Sequence, residues 1–258
     1  MDLSIKEKLF IVTGASSGLG YAVLKRLLDE GAKAIAVARR KEILKEMEHA
    51  YTGKMIPCSG DITEEQTLNA ITNMVGDQRL DGIFINAGGP PAMPFMETEL
   101  RDWDNAFNLL FRWKYILVKS FIPKFIEQGY GRILFSESSS VKQPVENLVL
   151  SNSIRMAIVG MAKTISEEIA AHGVTANVIA PGMHDTSAID RLLVKKSELD
   201  GISMEEARSK LIERIKVGRM GDPDDFATLA VWLLSPFSNF VTGQTLSVDG
   251  GAVKFSLG

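Results

Sequence analysis

The sequence predicts an α/β fold in which helices cover both faces of a parallel sheet of about seven strands. Short apolar runs rich in Val, Ile and Ala alternate with amphipathic helical patterns along the whole chain, which is typical of such sheets. The runs contain few polar residues, as expected of strands covered on both sides. The predicted strands span residues 9–13, 33–38, 55–59, 82–86, 132–136, 174–180 and 245–248.

Amphipathic patterns between these strands predict helices, and glycines mark several of their ends. The predicted helices lie near residues 18–30, 41–50, 64–76, 100–128, 151–171 and 223–234. Gly31 and Gly173 stand where helices are expected to stop, since glycine readily adopts the left-handed conformation of a C-terminal cap. Thr63 with Gln66 matches a capping box and predicts the start of the third helix.

The chain has the length of one ordinary domain, and residues 1–258 are interpreted as a single dinucleotide-binding domain. We find no internal repeat, low-complexity tract or linker. The exception to the regular alternation is an insertion at residues 183–217. In it Ser203 matches a capping box with Glu206, and Ala207, Leu211, Ile212 and Ile215 follow at helical spacing.

Composition excludes several classes of function. The 29 Lys and Arg residues against 32 Asp and Glu give a formal charge of −3, which argues against nucleic-acid or anionic-membrane partners. Cys58 is the only cysteine, so no intrachain disulfide can form and a reducing compartment is favoured. The charged N-terminus does not resemble a signal peptide, and no apolar run has membrane-spanning length. We therefore expect a cytoplasmic protein.

Metal chemistry is not expected either. Three histidines and one cysteine offer no plausible cluster of transition-metal ligands. The sequence therefore predicts no metal site.

A glycine-rich turn follows the first predicted strand and opens the first predicted helix. Glycines are needed where a chain turns tightly, approaches a pyrophosphate and packs a helix on a strand. The helix N-terminus attracts phosphate, and the strand–turn–helix context makes a dinucleotide site the favoured interpretation over a plain turn. The residues expected to contact the cofactor are Gly14, Ser16, Ser17, Gly18, Leu19 and Gly20.

Four further segments match, in order and spacing, motifs of the short-chain dehydrogenase/reductase family, which the chain resembles from end to end. They are Asp61-Ile62, Asn86-Ala87-Gly88-Gly89, Pro181-Gly182 with Thr186, and Val248-Asp249-Gly250-Gly251. The resemblance implies a Rossmann-type doubly wound sheet that binds NAD(H) or NADP(H). It also implies that Asp61 and Ile62 contact adenine, that Asn86, Ala87 and Gly88 support the ring system, and that Pro181, Gly182 and Thr186 hold the nicotinamide amide. Within the family, the segment equivalent to 183–217 covers the substrate, so this insertion resembles a lid.

The end of the second strand predicts which nicotinamide cofactor is bound. An NAD enzyme places Asp or Glu there to hold the ribose hydroxyls, whereas this chain has Ala38 followed by Arg39 and Arg40. Guanidinium groups suit the additional 2′-phosphate of NADP. The alternative is two solvated arginines at a helix start, where cations gain nothing from the helix dipole. We favour NADP(H) over NAD(H).

The reaction end departs from the family pattern. In the family, a Tyr donates the proton, a Lys lowers its pKa and holds ribose, a Ser orients the carbonyl and an Asn keeps a relay water. By resemblance the serine role lies on Ser138, the tyrosine position is Ser151 and the lysine position is Arg155. The asparagine position is Leu110.

These replacements change the available chemistry. An alkyl hydroxyl is a poorer acid than a phenol, and arginine cannot relay a proton, although it can bind ribose and stabilise an oxyanion. Losing general acid–base help typically costs about 10² to 10⁴ in rate. Holding a carbonyl against a hydride donor can still contribute about 7 to 11 kcal/mol. A slow or differently organised reductase is consistent with these numbers.

Other groups near the predicted site offer alternatives. His184 could replace the missing acid, since histidine titrates in the useful range, but a loop histidine is more often merely solvated. Lys142 and Glu146 are interpreted as solvated loop charges. Ser139 and Ser140 supply additional hydroxyls beside Ser138.

Two functions remain open from the sequence. The first is an NADP(H)-dependent oxidoreductase acting on a small carbonyl or alcohol, similar overall to 3-oxoacyl-carrier-protein reductases, with Ser138, Ser151 and Arg155 as its catalytic residues. The second is a catalytically silent NADP(H)-binding protein, such as a redox sensor or a partner subunit. The resemblance implies a homo-dimer or homo-tetramer, because family members pair through the helix at 151–171 and the long helix before it.

Overall fold

The computed structural model describes residues 2–255, apart from the side chains of residues 191, 195, 196 and 199. Its centre is one seven-stranded parallel sheet in the order β3-β2-β1-β4-β5-β6-β7. The strands are β1 (Leu9–Thr13), β2 (Lys33–Ala38), β3 (Met55–Ser59), β4 (Gly82–Asn86), β5 (Gly131–Ser136), β6 (Val174–Pro181) and β7 (Thr245–Val248). The predicted fold class is therefore confirmed, and the strand order reverses direction between β1 and β4.

Nine α-helices lie in the described part of the chain. They are α1 (Gly18–Asp29), α2 (Lys41–Ala50), α3 (Glu65–Val75), α4 (Leu100–Phe107), α5 (Trp113–Gln128), α6 (Val149–Ile169), α7 (Ser187–Asp200), α8 (Met204–Ile212) and α9 (Pro223–Leu234). Helices α1 and α9 pack together on one face of the sheet, and α3, α5 and α6 cover the other.

Alternation along β1 shows how the two faces share the core. Phe10 and Val12 point into the cluster beneath α1 and α9, whereas Leu9 and Ile11 point into the cluster beneath α3, α5 and α6. Successive strand side chains point to opposite faces, so a strand buried on both sides must be apolar throughout. β3 differs, since its residue Ile56 is 37% exposed. It is an edge strand, and the expectation that every strand is covered on both sides is wrong there.

Two helix starts differ from the predictions. Helix α3 begins at Glu65 without a side-chain cap, because Thr63 instead donates its backbone N–H and hydroxyl to Asp61. The predicted capping box of Thr63 with Gln66 is therefore wrong. Helix α6 begins at Val149, two residues before the predicted start, so Ser151 lies inside its first turn.

The predicted helix at 100–128 is divided by a π-helical turn at Asn108–Arg112. Within the turn, the backbone carbonyl of Leu109 accepts a hydrogen bond of 2.8 Å from the indole of Trp113. A π turn usually marks a local insertion that side chains have to compensate. This one lies directly before α5 and brings Leu110 and Trp113 into the core.

The segment after β6 forms a small cluster of its own. Helices α7 and α8 pack through Leu193, Ala207 and Leu211, and Ile215 and Met220 complete the buried group. Ser203 caps α8, accepting a 3.1 Å bond from the backbone N–H of Glu206, which is one half of the predicted capping box. The Glu206 carboxylate pairs with Lys210 at 3.0 Å instead of completing the box. The predicted helical spacing ends at Ile212, so Ile215 lies beyond the helix.

Candidate active site

The carboxyl ends of β1 and β4 meet at a cradle made of glycine backbone. Gly14 and Gly18 have φ of +65° and +55°, which L side chains rarely adopt. A Cβ on Gly14 would stand 2.6 Å from Asn86 Nδ2, and one on Gly20 would overlap the carbonyl of Gly14. Thr13 ties the two strand ends, since its hydroxyl bonds the carbonyl and the N–H of Asn86 at 2.9 and 2.8 Å.

This cradle fits a dinucleotide. Helix α1 begins at Gly18 with Ser17 at its N-cap, and no side chain of the cap bonds the first N–H groups. Open N–H groups at a helix start are the usual ligands of a pyrophosphate. Ser16, Ser17 and Leu19 belong to the same turn. From across the cleft, the side chain of Thr186 lies 3.4 Å from the position that a Cβ on Gly18 would occupy.

Arg40 reaches back to the glycine-rich turn from the start of α2. Its Nη2 donates to the carbonyl of Ser16 at 2.6 Å and its Nε donates to the Ser16 hydroxyl at 3.2 Å. Ser16 and Ser17 also line a surface groove of about 400 Å³ that extends along α2 to Tyr51. Arg39 and Arg40 are exposed beside this groove, and Ala38 ends β2 without a carboxylate.

The segment after β3 presents one free carboxylate oxygen. Asp61 Oδ1 accepts the backbone N–H and the hydroxyl of Thr63 at 3.0 and 2.8 Å. These bonds hold the pKa of the Asp61 carboxyl below its ordinary value, with the backbone bond as the main cause. Ile62 packs against the core on the α3 side of the sheet, as does Ala87 after β4. Gly88 has open space where a Cβ would stand.

The end of β6 is held close to β7. The backbone N–H of Gly182 donates to the carbonyl of Val248 at 2.9 Å, and a Cβ on Gly182 would lie 2.7 Å from that of Asp249. Pro181 is the last residue of β6, and Thr186 stands at the N-cap of α7. The sequence placed these residues at the nicotinamide end of the cleft, and the approach of Thr186 to Gly18 brings them beside the glycine cradle.

Ser138 follows β5 at the same edge of the sheet. Its hydroxyl oxygen accepts the N–H of Ser140 at 3.1 Å, which fixes the turn at Ser139–Val141. The hydroxyl of Ser140 is buried without a hydrogen-bond partner among the described residues. Ser138 is half-buried, so its own hydroxyl proton can reach a ligand in the cleft.

Ser151 and Arg155 are joined by a hydrogen bond on consecutive turns of α6. Arg155 Nε donates to Ser151 Oγ at 3.1 Å, and both side chains are nearly buried. The Nη2 atom of Arg155 lies 3.5 Å from a Cβ position on Gly89, so the guanidinium reaches the segment that follows β4. The structure thus brings Ser151 and Arg155 together beside the segment that follows β4.

Two charged residues that the sequence did not assign complete this cluster. Arg155 Nη1 donates to Glu137 Oε2 at 2.9 Å, and Lys114 Nζ donates to Glu137 Oε1 at 2.5 Å. Burial, and the charge of Arg155, lower the pKa of the Lys114 ammonium, while Glu137 acts in the opposite direction. A lysine on an otherwise apolar helix face, between Trp113 and Leu117, was the sequence signal for this cluster.

The remaining candidate site residues are not part of the cluster formed by Ser151, Arg155, Glu137 and Lys114. Leu110 is fully buried in the π-helical turn. His184 is buried with Nδ1 3.2 Å from the carbonyl of Gly182 and its ring edge-on to Phe226. It is therefore not the solvated loop histidine expected, and it faces the hinge at Gly221 rather than Ser151. Lys142 is half-buried, which lowers its pKa, and Glu146 is exposed.

Within residues 2–255, no helix is long and apolar enough to cross a bilayer. Nor do the described side chains include a group of at least three His, Cys, Asp or Glu able to hold a metal ion.

Comparison with known proteins gives consistent results. A family model described as enoyl-(acyl carrier protein) reductase matches residues 14–253. The rat dehydrogenase/reductase SDR family member 6 is 29% identical over 249 residues, covering 96% of this chain and 98% of the relative. The 3-oxoacyl-[acyl-carrier-protein] reductase FabG of Thermotoga maritima is 29% identical over 259 residues, covering 97% and 100%.

A similar solved structure has bound NADP at low occupancy. It is a putative NAD(P)-dependent gluconate 5-dehydrogenase from Beutenbergia cavernae, with a TM-score of 0.86 and 27% identity. The match covers 98% of this chain and 99% of that one.

Proposed function

The chain belongs to the short-chain dehydrogenase/reductase family of nicotinamide-dependent oxidoreductases acting on C=O and CH–OH groups, and we propose that it is an NADP(H)-dependent member with a Ser-x-x-x-Arg site. Its substrate is a small carbonyl or alcohol, of the kind handled by 3-oxoacyl-carrier-protein reductases. The observation that carries the proposal is the hydrogen bond from Arg155 Nε to Ser151 Oγ. Because the serine oxygen accepts this bond, its own proton is left to donate to a substrate oxygen.

The preference for NADP(H) is supported by charge at the end of β2. Arg40 is fixed against Ser16 at the edge of the glycine-rich turn, and no carboxylate follows Ala38 to hold free ribose hydroxyls. A planar guanidinium suits a phosphate better than it suits a neutral diol. The bound NADP of the gluconate 5-dehydrogenase relative is consistent with this preference.

The coenzyme would lie with its pyrophosphate at Gly14–Gly20 and its nicotinamide between Thr186 and Arg155. When bound, the reduced nicotinamide supplies the hydride. The carbonyl oxygen of the substrate accepts hydrogen bonds from Ser138 and Ser151, and the charge of Arg155 stabilises the developing oxyanion. Ser151 then gives its proton to this oxygen, and solvent restores the serine proton.

The segment 183–217 is proposed as the lid over the substrate, within a single domain of residues 1–258. Its two connections to the body meet at one point, where Gly221 N–H donates to Met183 and Asp185 N–H donates to Gly221, at 2.9 and 2.8 Å. A segment whose ends are paired in this way can move as a unit about that point. Closing it would exclude water from Ser138 and Ser151.

Turnover tests the proposal directly. NADPH consumption should be measured over ketones, aldehydes, sugars and acyl thioesters, and the best substrate used for the variants Ser138→Ala and Ser151→Ala. Each should lower kcat by about 10²-fold, because each removes one hydrogen bond to the oxyanion. The matched control is Ser153→Ala, which removes an exposed hydroxyl from the same helix as Ser151 and should leave kcat unchanged.

The result also distinguishes the two functions left open by the sequence. NADPH at about 100 times its Kd should stabilise the fold by about 2.7 kcal/mol if it binds the native state. Stabilisation without turnover on any substrate class would contradict the oxidoreductase and favour the silent binding protein. Absence of stabilisation would contradict both.

A further inference from the structure

Three buried charged side chains from three different elements form one chain of hydrogen bonds beneath the proposed reaction site. Lys114 comes from α5, Glu137 follows β5 and Arg155 comes from α6. Glu137 lies between the two cations and gives one carboxylate oxygen to each, at 2.5 and 2.9 Å. The Lys114 and Glu137 side chains are fully buried, and that of Arg155 is 7% exposed.

Such an arrangement is costly to bury and therefore requires nearly complete pairing. The carboxylate is held at both oxygens, so it cannot rotate. The guanidinium is held at Nη1 by Glu137 and at Nε by Ser151, which fixes its plane. Its remaining group, Nη2, has no hydrogen-bond partner among the described residues and faces the segment at Gly89.

We propose that Glu137 and Lys114 are positioning residues that hold the Arg155 guanidinium so that Nε faces Ser151 and Nη2 faces the bound coenzyme and substrate. The inference rests on the proposed oxidoreductase function and extends it to residues that contact neither substrate nor coenzyme. Glu137 sets the plane of the guanidinium, and Lys114 prevents Glu137 from turning away. In this way two side chains, one after β5 and one from α5, fix the orientation of the guanidinium.

Lys114 also adds a charge that depends on pH. The charged groups acting on it are Glu137, after β5, and Arg155, from α6, and with all three ionised the cluster carries one net positive charge. Burial lowers the pKa of Lys114 from its ordinary value of 10.5, so this ammonium loses its proton at a lower pH than a solvated lysine does. Its loss would free one oxygen of Glu137 and remove positive charge near the oxyanion.

The test compares Glu137→Gln and Lys114→Met with a matched variant at the other end of the sheet. Asp81 is also a buried carboxylate between two cations, Lys8 and Arg79, at 3.4 and 3.1 Å. Asp81→Asn should cost stability and leave kcat unchanged. Glu137→Gln should lower kcat by about 10²-fold, the size expected for a misplaced reacting group.

A second readout follows Arg155 itself, without turnover. The ¹⁵N–¹H resonance of its Nε–H, assigned by its loss in Arg155→Lys, should be protected from solvent exchange in the unaltered protein. Glu137→Gln should abolish that protection. The double variant Lys114→Met with Glu137→Gln, which removes one charge of each sign, should fold and behave like Glu137→Gln.

The pH profile supplies the part of the test specific to Lys114. In the unaltered protein kcat and the Nε–H protection should both fall as pH rises through the titration of Lys114, below about 10.5. In Lys114→Met this decline should be absent. Unchanged kcat and unchanged Nε–H protection in both single variants would overturn the inference, whereas lack of turnover in the unaltered protein, with protection lost in Glu137→Gln, would overturn only the proposed reaction.

Discussion

At position 151 the acidity of a hydroxyl is set by the groups around it. A serine alone is a poor proton donor at neutral pH, but this one accepts a hydrogen bond from a permanently charged guanidinium. The charge favours the alkoxide, and the bond directs the hydroxyl proton away from Arg155. The hydrogen bond thus makes the proposed role of Ser151 depend on Arg155.

Arg40 is the residue on which cofactor preference should depend. We expect Arg40→Ala to raise the Kd of NADPH by about 10- to 100-fold, because a charge-assisted hydrogen bond to the 2′-phosphate contributes about 1.5–3 kcal/mol. The Kd of NADH should change by less than about threefold. Isothermal titration calorimetry measures both, and Lys41→Ala is the control, since it removes a neighbouring exposed charge at the start of the same helix. Equal weakening of both coenzymes would contradict this role.

His184 gives a pH dependence to stability. Burial is the main cause that lowers its pKa from 6.5, opposed by the bond to Gly182 and by Asp225 and Asp222. Between the lowered pKa of the folded state and 6.5, the unfolded chain therefore binds more protons than the folded one. The free energy of unfolding falls as pH decreases below about 6.5. Urea unfolding between about pH 5 and 8 should show this slope, and His184→Gln should reduce it. The exposed His49, changed to Gln, is the control; an unaltered slope in His184→Gln would contradict the assignment.

Prediction from sequence worked for residues whose role depends on local chain geometry and failed for those whose role depends on distant partners. The positive φ of Gly14 and Gly18 belongs to a turn that short-range spacing identifies. Glu137 was not assigned a role from the sequence, because its partners lie 23 and 18 residues away on other elements. Lys114 carries no motif at all, and its significance appears only when α5 is placed against β5.

At the scale of elements, the same distinction explains the boundaries. Five of the seven strands end where an apolar run meets Gly, Asn or Ser, and strand limits could be predicted closely; β5 begins at Gly131 and β6 ends at Pro181 instead of 132 and 180. The π-helical turn could not, because one additional residue leaves the apolar pattern of a long helix almost unchanged. The capping box at Thr63 failed because a competing acceptor, Asp61, precedes it.

The π-helical turn should depend on Trp113. Its indole N–H donates to the carbonyl of Leu109, and Trp113 itself is 1% exposed. Trp113→Phe should therefore lower the free energy of unfolding by about 0.5–1.5 kcal/mol, the net contribution of a typical hydrogen bond. Trp103→Phe is the matched control, because Trp103 also donates its indole N–H, to the Thr98 hydroxyl, but is itself only half-buried. Equal losses in urea denaturation would show that ring volume, and not the hydrogen bond, decides the result.

At the scale of the whole molecule, the parallel sheet places every proposed functional group at one edge. The turns after β1, β4, β5 and β6 all leave the sheet at its carboxyl end, and the strand order reverses between β1 and β4. Ligands of open α/β sheets bind in the crevice at such a reversal. The glycine cradle lies at this point, and Ser138 follows β5, which is the next strand after β4.

Helix α4, the π turn and α5 present an apolar stripe on the protein surface. We expect a second copy of the chain to cover this stripe. Phe107, Phe111 and Tyr115 follow one another at helical spacing along α4, the π turn and α5, and the rings of Phe107 and Phe111 stack at 5.1 Å. Phe107, Tyr115 and Met156 are each more than two-fifths exposed, although α4 packs beside α6. Full burial of such side chains contributes about 1.5–3 kcal/mol each, which favours a homo-dimer or homo-tetramer.

Substitution within this stripe should dissociate that assembly. Phe107→Glu places a charge where an apolar contact is expected, so light scattering after size-exclusion chromatography should show a smaller species at micromolar concentration. Ile56→Glu, on the edge strand β3, introduces the same charge at another half-exposed apolar site and should leave the assembly intact. A monomer in the unaltered protein would refute the pairing. If all three proteins form an assembly of the same mass, the interface does not involve α4 and α5, because a buried carboxylate without a partner could not be accommodated there.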